Sequence, residues 1–340
     1  MADKTKIQWT ADGDSPGATW NPIIAVDKKT GKRGWFCTKP SSGCQRCYAE
    51  KINMRLGNGL PYIVGNLSRV DIKLNTDGKG QSALDWPLRA KRPRKIFVCS
   101  MTDLFGEFVP DEFIDKVFAV MALAHRHTFQ VLTKRPKRML AYCIAVGKSF
   151  ARLKAACPVG WSLEYAGLPL VLWPLPNVHL GVSVEDQETA DERIRYLLQT
   201  RAAVRWVSYE PALGPVDFIS DGRNWLIDVC CRYGKGKEEN GSDGCDGPGC
   251  MGTRISWCVV GGESGPGARP FNLQWARDII AQCKAAGVPI FMKQLGARPY
   301  GLGCPIDCPC GVHHGFANRK GGDWSEWPEE FRVREYPRVR

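Results

Sequence analysis

Residues 35–50 read WFCTKPSSGCQRCYAE and contain three cysteines in the pattern C-x6-C-x2-C, at Cys37, Cys44 and Cys47. The two residues between Cys44 and Cys47 allow a tight turn that brings both thiolates to one metal centre. The PSSG stretch after Cys37 is typical of turns, so the first thiol can return to the same place. The stretch therefore predicts a metal site built by one short loop.

The spacing of these cysteines leaves three interpretations open. Three close cysteines without an obvious fourth ligand suit an iron–sulfur cluster that keeps one iron open. A structural zinc site usually has four protein ligands, so zinc would need a distant fourth one. The third interpretation is a set of buried thiols that bind nothing.

The composition and charge of the chain limit the classes of protein to which it can belong. The chain has 340 residues, 44% of them hydrophobic, and 15 cysteines. Clustered cysteines in a reducing compartment usually bind metal or do chemistry. We find neither a signal peptide nor a long apolar run, which predicts a soluble, cytoplasmic protein without a membrane partner. The net charge of +12 favours an anionic partner such as nucleic acid or a nucleotide.

From residue 95 onward, short apolar runs alternate with helical segments. The runs are KIFVCS (95–100), FQVLT (129–133), VHLGVSV (178–184), AVRWVSY (203–209), SWCVVGG (256–262) and VPIFMKQ (288–294). Helical patterns cover Asp111–His125, Ala190–Leu198 and Leu273–Ala286. With a further strand near the first cysteines, these runs give roughly seven β units. Their alternation with helices predicts an α/β fold with a parallel sheet, either open or closed into a partial (β/α)6 barrel of about six strands, in which the cysteine loop follows the first strand.

Two polar stretches interrupt the alternation and carry further potential ligands. Residues 221–254 contain Cys230, Cys231, Cys245 and Cys250. Residues 301–322 contain Cys304, Cys308, Cys310, His313 and His314. Neither stretch has the apolar content to fold alone, so we expect at least one of them to bind a second metal, zinc or an auxiliary cluster. The alternative is that these are reduced thiols on exposed loops.

The same reasoning predicts the domain organisation. Residues 1–300 form the partial barrel, with the cluster loop at 35–50 and an insertion at 221–254. Residues 301–340 form a cysteine- and histidine-bearing extension packed on the barrel, ending in the mixed aromatic and charged sequence WPEEFRVREYPRVR.

Polar residues follow nearly every predicted strand, where ligands gather in parallel α/β sheets. They are Ser100, Thr102 and Asp103, then Thr133 and Lys134, then Ser183, Glu210, and Gly261, Gly262 and Glu263. Each has a plainer explanation as a helix cap, a strand exit or a turn. Because so many fall at one edge of the sheet, we expect a cofactor site there.

Taken together, these motifs resemble the radical S-adenosylmethionine superfamily. More narrowly, the chain is similar to a phage-encoded radical-SAM-like family of unassigned function, with some likeness to spore photoproduct lyase. The matching pieces are WNP, the cysteine array with YAE, CSMTD, QVLTKRP, GVSVED, WVSYEPALGPVD, VVGGESGPGARP, FMKQLG and EWPEEFRVREYP.

The resemblance implies a radical-SAM-type barrel and a 4Fe–4S cluster held by Cys37, Cys44 and Cys47. S-adenosylmethionine would chelate the open iron and be cleaved to a 5′-deoxyadenosyl radical, with the electron coming from a donor such as flavodoxin or ferredoxin. The resemblance also puts Ser100, Thr102 and Asp103 near the methionine ammonium. Ser183 and Glu210 would lie near the ribose or carboxylate, and Gly261–Glu263 near the far end of the cofactor.

Two features depart from the common superfamily pattern. The usual spacing is C-x3-C-x2-C, whereas six residues separate Cys37 and Cys44 here. The usual early Gly-Gly-Glu is replaced by CSMTD, and a GGE occurs late, at 261–263. The catalytic residues and the substrate stay undetermined. The charge favours a nucleic acid or nucleotide, and the alternative function is a zinc-stabilised nucleic-acid-binding protein without catalysis.

Overall fold

The computed structural model describes residues 5, 7–11, 17–76, 83–163, 173–219, 222–227, 254–301 and 316–337. The ligands predicted for a second metal lie outside these ranges. They are Cys230, Cys231, Cys245 and Cys250 in the first insertion, and Cys304, Cys308, Cys310, His313 and His314 in the second.

Strands and helices alternate along most of the described chain. The strands are β1 (Ala18–Trp20), β2 (Ile23–Asp27), β3 (Arg33–Gly34), β4 (Val70–Leu74), β5 (Lys95–Val98), β6 (Thr128–Thr133), β7 (Val178–Val184), β8 (Val204–Tyr209), β9 (Trp257–Gly261), β10 (Phe271–Asn272), β11 (Ile290–Gln294) and β12 (Pro299–Tyr300). The helices are α1 (Tyr48–Leu56), α2 (Trp86–Arg89), α3 (Asp111–Leu123), α4 (Pro136–Lys148), α5 (Ala151–Ala155), α6 (Gln187–Gln199) and α7 (Leu273–Ala285).

The main sheet has seven strands in the order β1-β5-β6-β7-β8-β9-β11. Strands β1 and β5, β5 and β6, β8 and β9, and β9 and β11 pair in parallel. The predicted α/β class is therefore confirmed, and each of the six predicted runs forms a strand. The seventh strand, β1, precedes the cysteine loop, as expected of a strand near the first cysteines, although β2 and β3 lie between β1 and that loop.

The chain divides into two compact units. The first comprises residues 1–181 and 200–203, and the second comprises residues 182–199 and 204–340. The boundary falls within β7. The predicted division into a barrel and a C-terminal extension at residue 301 stays a prediction.

In the first unit, α3 forms much of the core. It begins after Pro110 with Asp111 and Glu112, whose carboxylates suit the positive end of the helix dipole. From Val117 to Leu123 every residue is buried, as expected of a helix that is apolar on all sides.

A small antiparallel sheet, of order β3-β2-β4, also belongs to the first unit. Strand β2 pairs with both neighbours, and the sheet packs a buried cluster of Ala25, Phe36, Leu60 and Val70. Sequence reasoning missed this sheet because β3 has only two residues. The sheet matters because the cysteine loop leaves directly from β3.

In the second unit, β8 and β9 are buried along their full length. Such continuous burial is typical of strands covered on both faces. The terminal segment packs on β11, where Met292 N–H donates to Val333 O at 2.9 Å and Glu335 N–H donates to Ile290 O at 2.9 Å. This confirms the expectation that the aromatic tail packs on the core. Among the helices in the described ranges, none has the length and apolar content to cross a membrane.

Candidate metal centre at the cysteine loop

The cysteine loop runs from β3 to α1 and places its thiols near one another. Cys44 ends a short 3-10 turn, and Cys47 N–H donates to Cys44 O at 3.3 Å, which confirms the predicted tight turn. Cys37 and Cys47 both pack against the buried cluster of Ala49, Tyr62 and Met101. The loop therefore brings its first and last cysteines to the same core.

Hydrogen bonds join this loop to the segment that follows β5. The Tyr48 hydroxyl donates to Ser100 O at 2.5 Å, and the Thr102 hydroxyl donates to Phe36 O at 2.5 Å. The Tyr62 hydroxyl donates to Met101 O at 2.8 Å. The loop thus lies at the carboxyl end of β5, where a parallel sheet usually binds its ligands.

Asp103 holds the ends of β5 and β6 together. Its carboxylate accepts hydrogen bonds from Phe105 N–H at 3.0 Å and from the Thr133 hydroxyl at 2.7 Å. It also accepts from Lys134 N–H at 2.9 Å and from the Arg135 guanidinium at 3.1 Å. These four donors occupy about as many acceptor positions as a carboxylate offers. The predicted contact between Asp103 and a methionine ammonium stays a prediction.

Arg135 connects this network to the cysteine loop. Its side chain is buried, and its guanidinium donates to the sulfur of Cys37 at 3.9 Å. The same group donates to the carbonyl of Thr38 at 3.3 Å and also to the Thr38 hydroxyl. A positive charge is therefore fixed beside the first cysteine of the array.

The thiols lie in an environment that combines burial with compensating positive groups. Burial raises the pKa of Cys37 to about 12, and the Arg135 charge opposes that shift. Burial also raises the pKa of Cys47, while the backbone N–H groups of Glu50 and Ala49 oppose it. Those N–H groups belong to the first turn of α1, and helix amino ends favour thiolates. The charges of Cys44 and Cys47 both act on Cys37, which places all three thiols within electrostatic range.

This donor set suits a metal centre by its chemistry. Thiolates are the ligands of iron–sulfur clusters and of structural zinc, and two of the three thiols have groups that stabilise the anion. Among the described residues, no three His, Cys, Asp or Glu side chains are close enough to hold a metal ion as they stand. Binding would therefore draw the thiols together, as is common where metal binding is coupled to folding.

The hydroxyls predicted to bind a cofactor are also part of this region. Ser100 exchanges hydrogen bonds with Asn21, at 3.1 and 3.3 Å between its hydroxyl oxygen and the amide atoms. The Thr102 hydroxyl uses its proton on Phe36 O. A hydroxyl oxygen has two lone pairs, so both keep acceptor capacity for an ammonium group.

In the second unit, the predicted residues form a separate polar group. Lys293 donates to Glu210 at 2.5 Å, and the Gln294 amide donates to the same carboxylate oxygen at 3.4 Å. Gly261 lies beside this group, because a Cβ there would be 3.5 Å from the Glu210 carboxyl carbon. At Gly262 a Cβ would lie 2.8 Å from Leu295 O, so the close approach of two backbones requires glycine.

Two further predicted residues have structural partners in the second unit. Glu263 forms an ion pair with Arg269, with 2.8 Å between their closest atoms. The carbonyl of Ser183 accepts from Arg193, which also pairs with the buried Glu185 at 3.0 Å. These contacts fix the loops that follow β7 and β9.

The structure thus joins Asp103, Thr133 and Lys134 by hydrogen bonds at the ends of β5 and β6, and it joins Ser100 and Thr102 to the cysteine loop through Tyr48 and Phe36. In the second unit it gathers Glu210, Gly261 and Gly262, whereas Ser183 and Glu263 bind other partners. Sequence reasoning did not select Arg135 or Lys293, although both lie in motifs it noted, QVLTKRP and FMKQLG. Each carries a positive charge at the end of a predicted strand, and this charge is the feature by which sequence reasoning could have selected them.

Comparison of the chain with curated proteins and with solved structures returns no match. A family comparison, in contrast, covers most of the sequence. Residues 4–307 match the family described as "Protein of unknown function (DUF5131)", and the chain therefore belongs to that family.

Proposed function

We propose that this protein is a radical S-adenosylmethionine enzyme. In this proposal Cys37, Cys44 and Cys47 hold a 4Fe–4S cluster, and the groups that follow β5 and β6 bind the methionine part of the cofactor. The enzyme would work in the cytoplasm with an electron donor such as flavodoxin or ferredoxin. When bound, the cluster and S-adenosylmethionine would supply radical chemistry that no side chain can perform.

One observation carries the proposal. The loop that bears the three cysteines is hydrogen-bonded to the carboxyl end of β5, and Arg135 extends from the end of β6 to Cys37. Potential metal ligands and potential cofactor ligands therefore share one place in a parallel α/β unit. A zinc site that only stabilised the fold would not require polar strand ends around it.

The chain's own residues have definable tasks in such an enzyme. Arg135 and the first turn of α1 partly offset the burial that disfavours thiolates, which are the form of cysteine that binds iron. The hydroxyl oxygens of Ser100 and Thr102 can accept hydrogen bonds from an ammonium group. Asp103 keeps the ends of β5 and β6 in position for both tasks.

The positive charges bear on the substrate. Arg46 and Lys51 are exposed on either side of Cys47, where they can attract a phosphate backbone or a nucleotide. Lys91 and Arg92 are also exposed, but they precede the amino end of β5, whereas the cysteine loop is hydrogen-bonded to the segment at its carboxyl end. We therefore propose a nucleic acid or nucleotide as substrate, recognised mainly by side chains of the cysteine loop.

The test is anaerobic reconstitution with iron and sulfide, followed by reduction with dithionite in the presence of S-adenosylmethionine. We expect a brown protein whose visible absorption bleaches on reduction and which releases 5′-deoxyadenosine. A colourless protein that binds zinc and nucleic acid but no iron would instead support the non-catalytic alternative.

A matched variant separates the array from other thiols in the same unit. Cys157 is partly buried, as the three loop cysteines are, and its thiol donates to Leu153 O at 3.5 Å. We expect Cys157→Ala to keep the colour and the 5′-deoxyadenosine yield. Loss of both in this variant, or their retention in Cys44→Ala, would contradict the assignment of the array.

A further inference from the structure

We infer that Arg135 and Asp103 together set the reduction potential of the metal centre, acting in opposite directions through Cys37. Both are positioning residues in this inference, since neither binds the metal. The inference rests on the proposed function, because it requires a redox-active group on the cysteines.

The geometry places one buried charge pair next to one proposed ligand. The side chains of Arg135 and Asp103 are only 6% and 8% exposed, and their charged atoms are 3.1 Å apart. From the same guanidinium nitrogen that binds Asp103, Arg135 also donates to the Cys37 sulfur at 3.9 Å. The guanidinium of Arg135 therefore binds both the Asp103 carboxylate and the Cys37 sulfur.

Electrostatics then fixes the sign of each effect. The reduced form of a cluster carries one more negative charge than the oxidised form. A nearby positive charge or a hydrogen bond to a ligating sulfur favours the reduced form and raises the potential. The Asp103 carboxylate lies near the same sulfur and acts oppositely. Both charges are buried, so solvent screens them weakly.

The guanidinium is held in a defined orientation. The backbone N–H of Arg135 donates to the Thr133 hydroxyl at 2.9 Å, which fixes the main chain from which the side chain extends, and α4 begins at the next residue, Pro136. Beyond Asp103, the side chain donates to both oxygens of Thr38. A planar fork with several fixed acceptors keeps its position better than a flexible ammonium would.

Within the described ranges, one other charged group contacts this arginine. The Glu107 carboxylate lies 3.4 Å from the Arg135 side chain, but the Glu107 side chain is 68% exposed. Water screens such a group, so its influence on a buried sulfur is small. The buried Asp103 is therefore the acidic partner that matters.

The experiment is a redox titration of the reconstituted full-length protein, with dithionite as reductant and electron paramagnetic resonance as readout. Arg135→Gln removes the positive charge, and we expect the midpoint potential to become more negative. Asp103→Asn removes the negative charge at nearly constant shape, and we expect the potential to become more positive. A merely structural role would not give shifts of opposite sign.

Arg138→Gln is the matched control. Arg138 lies on α4, three residues after Arg135, and it donates to Gly106 O, Val109 O and Asp111, none of which is a cysteine. We expect the midpoint potential of the Arg138→Gln protein to equal that of the wild type. Arg135→Lys keeps the charge but not the fork, so its shift should be smaller than that of Arg135→Gln.

The outcomes distinguish the inference from the proposed function. A wild-type protein that takes up no iron and sulfide refutes the proposed function itself. A loaded wild type whose potential is unchanged in Arg135→Gln and Asp103→Asn overturns the inference alone. Shifts of the same sign in these two variants overturn the inference too. Loss of the cluster from each of the three variants, Arg135→Gln, Arg135→Lys and Asp103→Asn, would also overturn it, because the charge pair would then be purely structural.

Discussion

The cysteines of the loop and the cysteines of the core differ in what surrounds the thiol. Cys143 on α4 and Cys258 on β9 are at most 2% exposed. Burial alone raises the pKa of Cys143, and Cys258 is further hydrogen-bonded to the buried Cys283. Cys37, in contrast, has a guanidinium beside it, and Cys47 has the amide groups of α1.

This difference shows how a ligand cysteine can be distinguished from a packing cysteine. A buried thiol without a positive neighbour behaves as a small hydrophobic side chain. A thiol with a fixed positive group nearby can become a thiolate, and a thiolate binds metal. The count of 15 cysteines in the sequence cannot make this distinction, but the neighbours of each thiol can.

The largest expected effect is the loss of bound iron. Replacing Cys37, Cys44 or Cys47 singly with Ala should lower the iron content of the reconstituted protein from about four atoms per chain to below about one, because a cluster with three protein thiolates has no spare ligand. Quantification of iron and acid-labile sulfide measures this directly.

Cys99 supplies the sharpest control for that experiment. It is only 4% exposed, and it lies close enough for the Cys37 charge to affect its pKa. We expect Cys99→Ala to keep the full iron content. If iron is lost from Cys99→Ala but retained in Cys37→Ala, the comparison between loop and core thiols is wrong.

Alkylation of the metal-free protein should show the next largest difference. Cys44 is partly exposed, so iodoacetamide can reach its thiol in the native state, whereas the raised pKa values of Cys37 and Cys47 slow their reaction. Cys143 and Cys258 should react only through unfolding, which makes them slower by about a thousandfold or more for a protein of ordinary stability. Mass spectrometry of timed digests measures the alkylation rate of each cysteine. Equal rates for Cys44 and for the two core cysteines would show that loop and core thiols do not differ.

The smallest effect is on the pH dependence of stability. The folded metal-free protein holds the Cys37 proton up to a pKa of about 12, against an ordinary value of 9.0. Above about pH 9 the unfolded chain releases this proton and the folded chain keeps it, so the free energy of unfolding falls as pH rises. Below about pH 9 the folded and the unfolded chain both keep this proton, so none of this free energy of unfolding is lost.

Comparison with Cys37→Ala isolates this contribution from those of the other cysteines and the tyrosines. Urea unfolding at about pH 8 and about pH 10.5 should show the wild type losing about 2 kcal/mol more than the variant. An identical loss in both proteins would mean that Cys37 is not the protected thiol.

Much of the fold could be predicted from the sequence because its strands are buried on both faces. Such strands read as continuous apolar runs, and VHLGVSV forms a strand over residues 178–184 as predicted. Helix α3 was equally clear from the apolar content of Asp111–His125, although it ends at Leu123. The sheet of β2, β3 and β4 was missed because β3 has only two residues and because β4 is far from its partner β2 along the chain.

The site was predictable in its parts but not in its connections. The cysteine spacing and the polar strand ends are local features, so sequence reasoning selected them. The contact between Arg135 and Cys37 joins residues 98 positions apart, and only the folded chain shows it. The four donors to Asp103 likewise come from two separate segments, which is why its structural task was not foreseen.

The central claim is that the cysteine loop supports radical chemistry on S-adenosylmethionine. The most direct measurement is the yield of 5′-deoxyadenosine from the anaerobically reconstituted, dithionite-reduced protein, compared with a variant in which Cys37, Cys44 and Cys47 are all Ala. The account predicts release of 5′-deoxyadenosine by the wild type and none by the variant. A wild-type protein that carries a complete cluster, binds S-adenosylmethionine and releases no 5′-deoxyadenosine would contradict it.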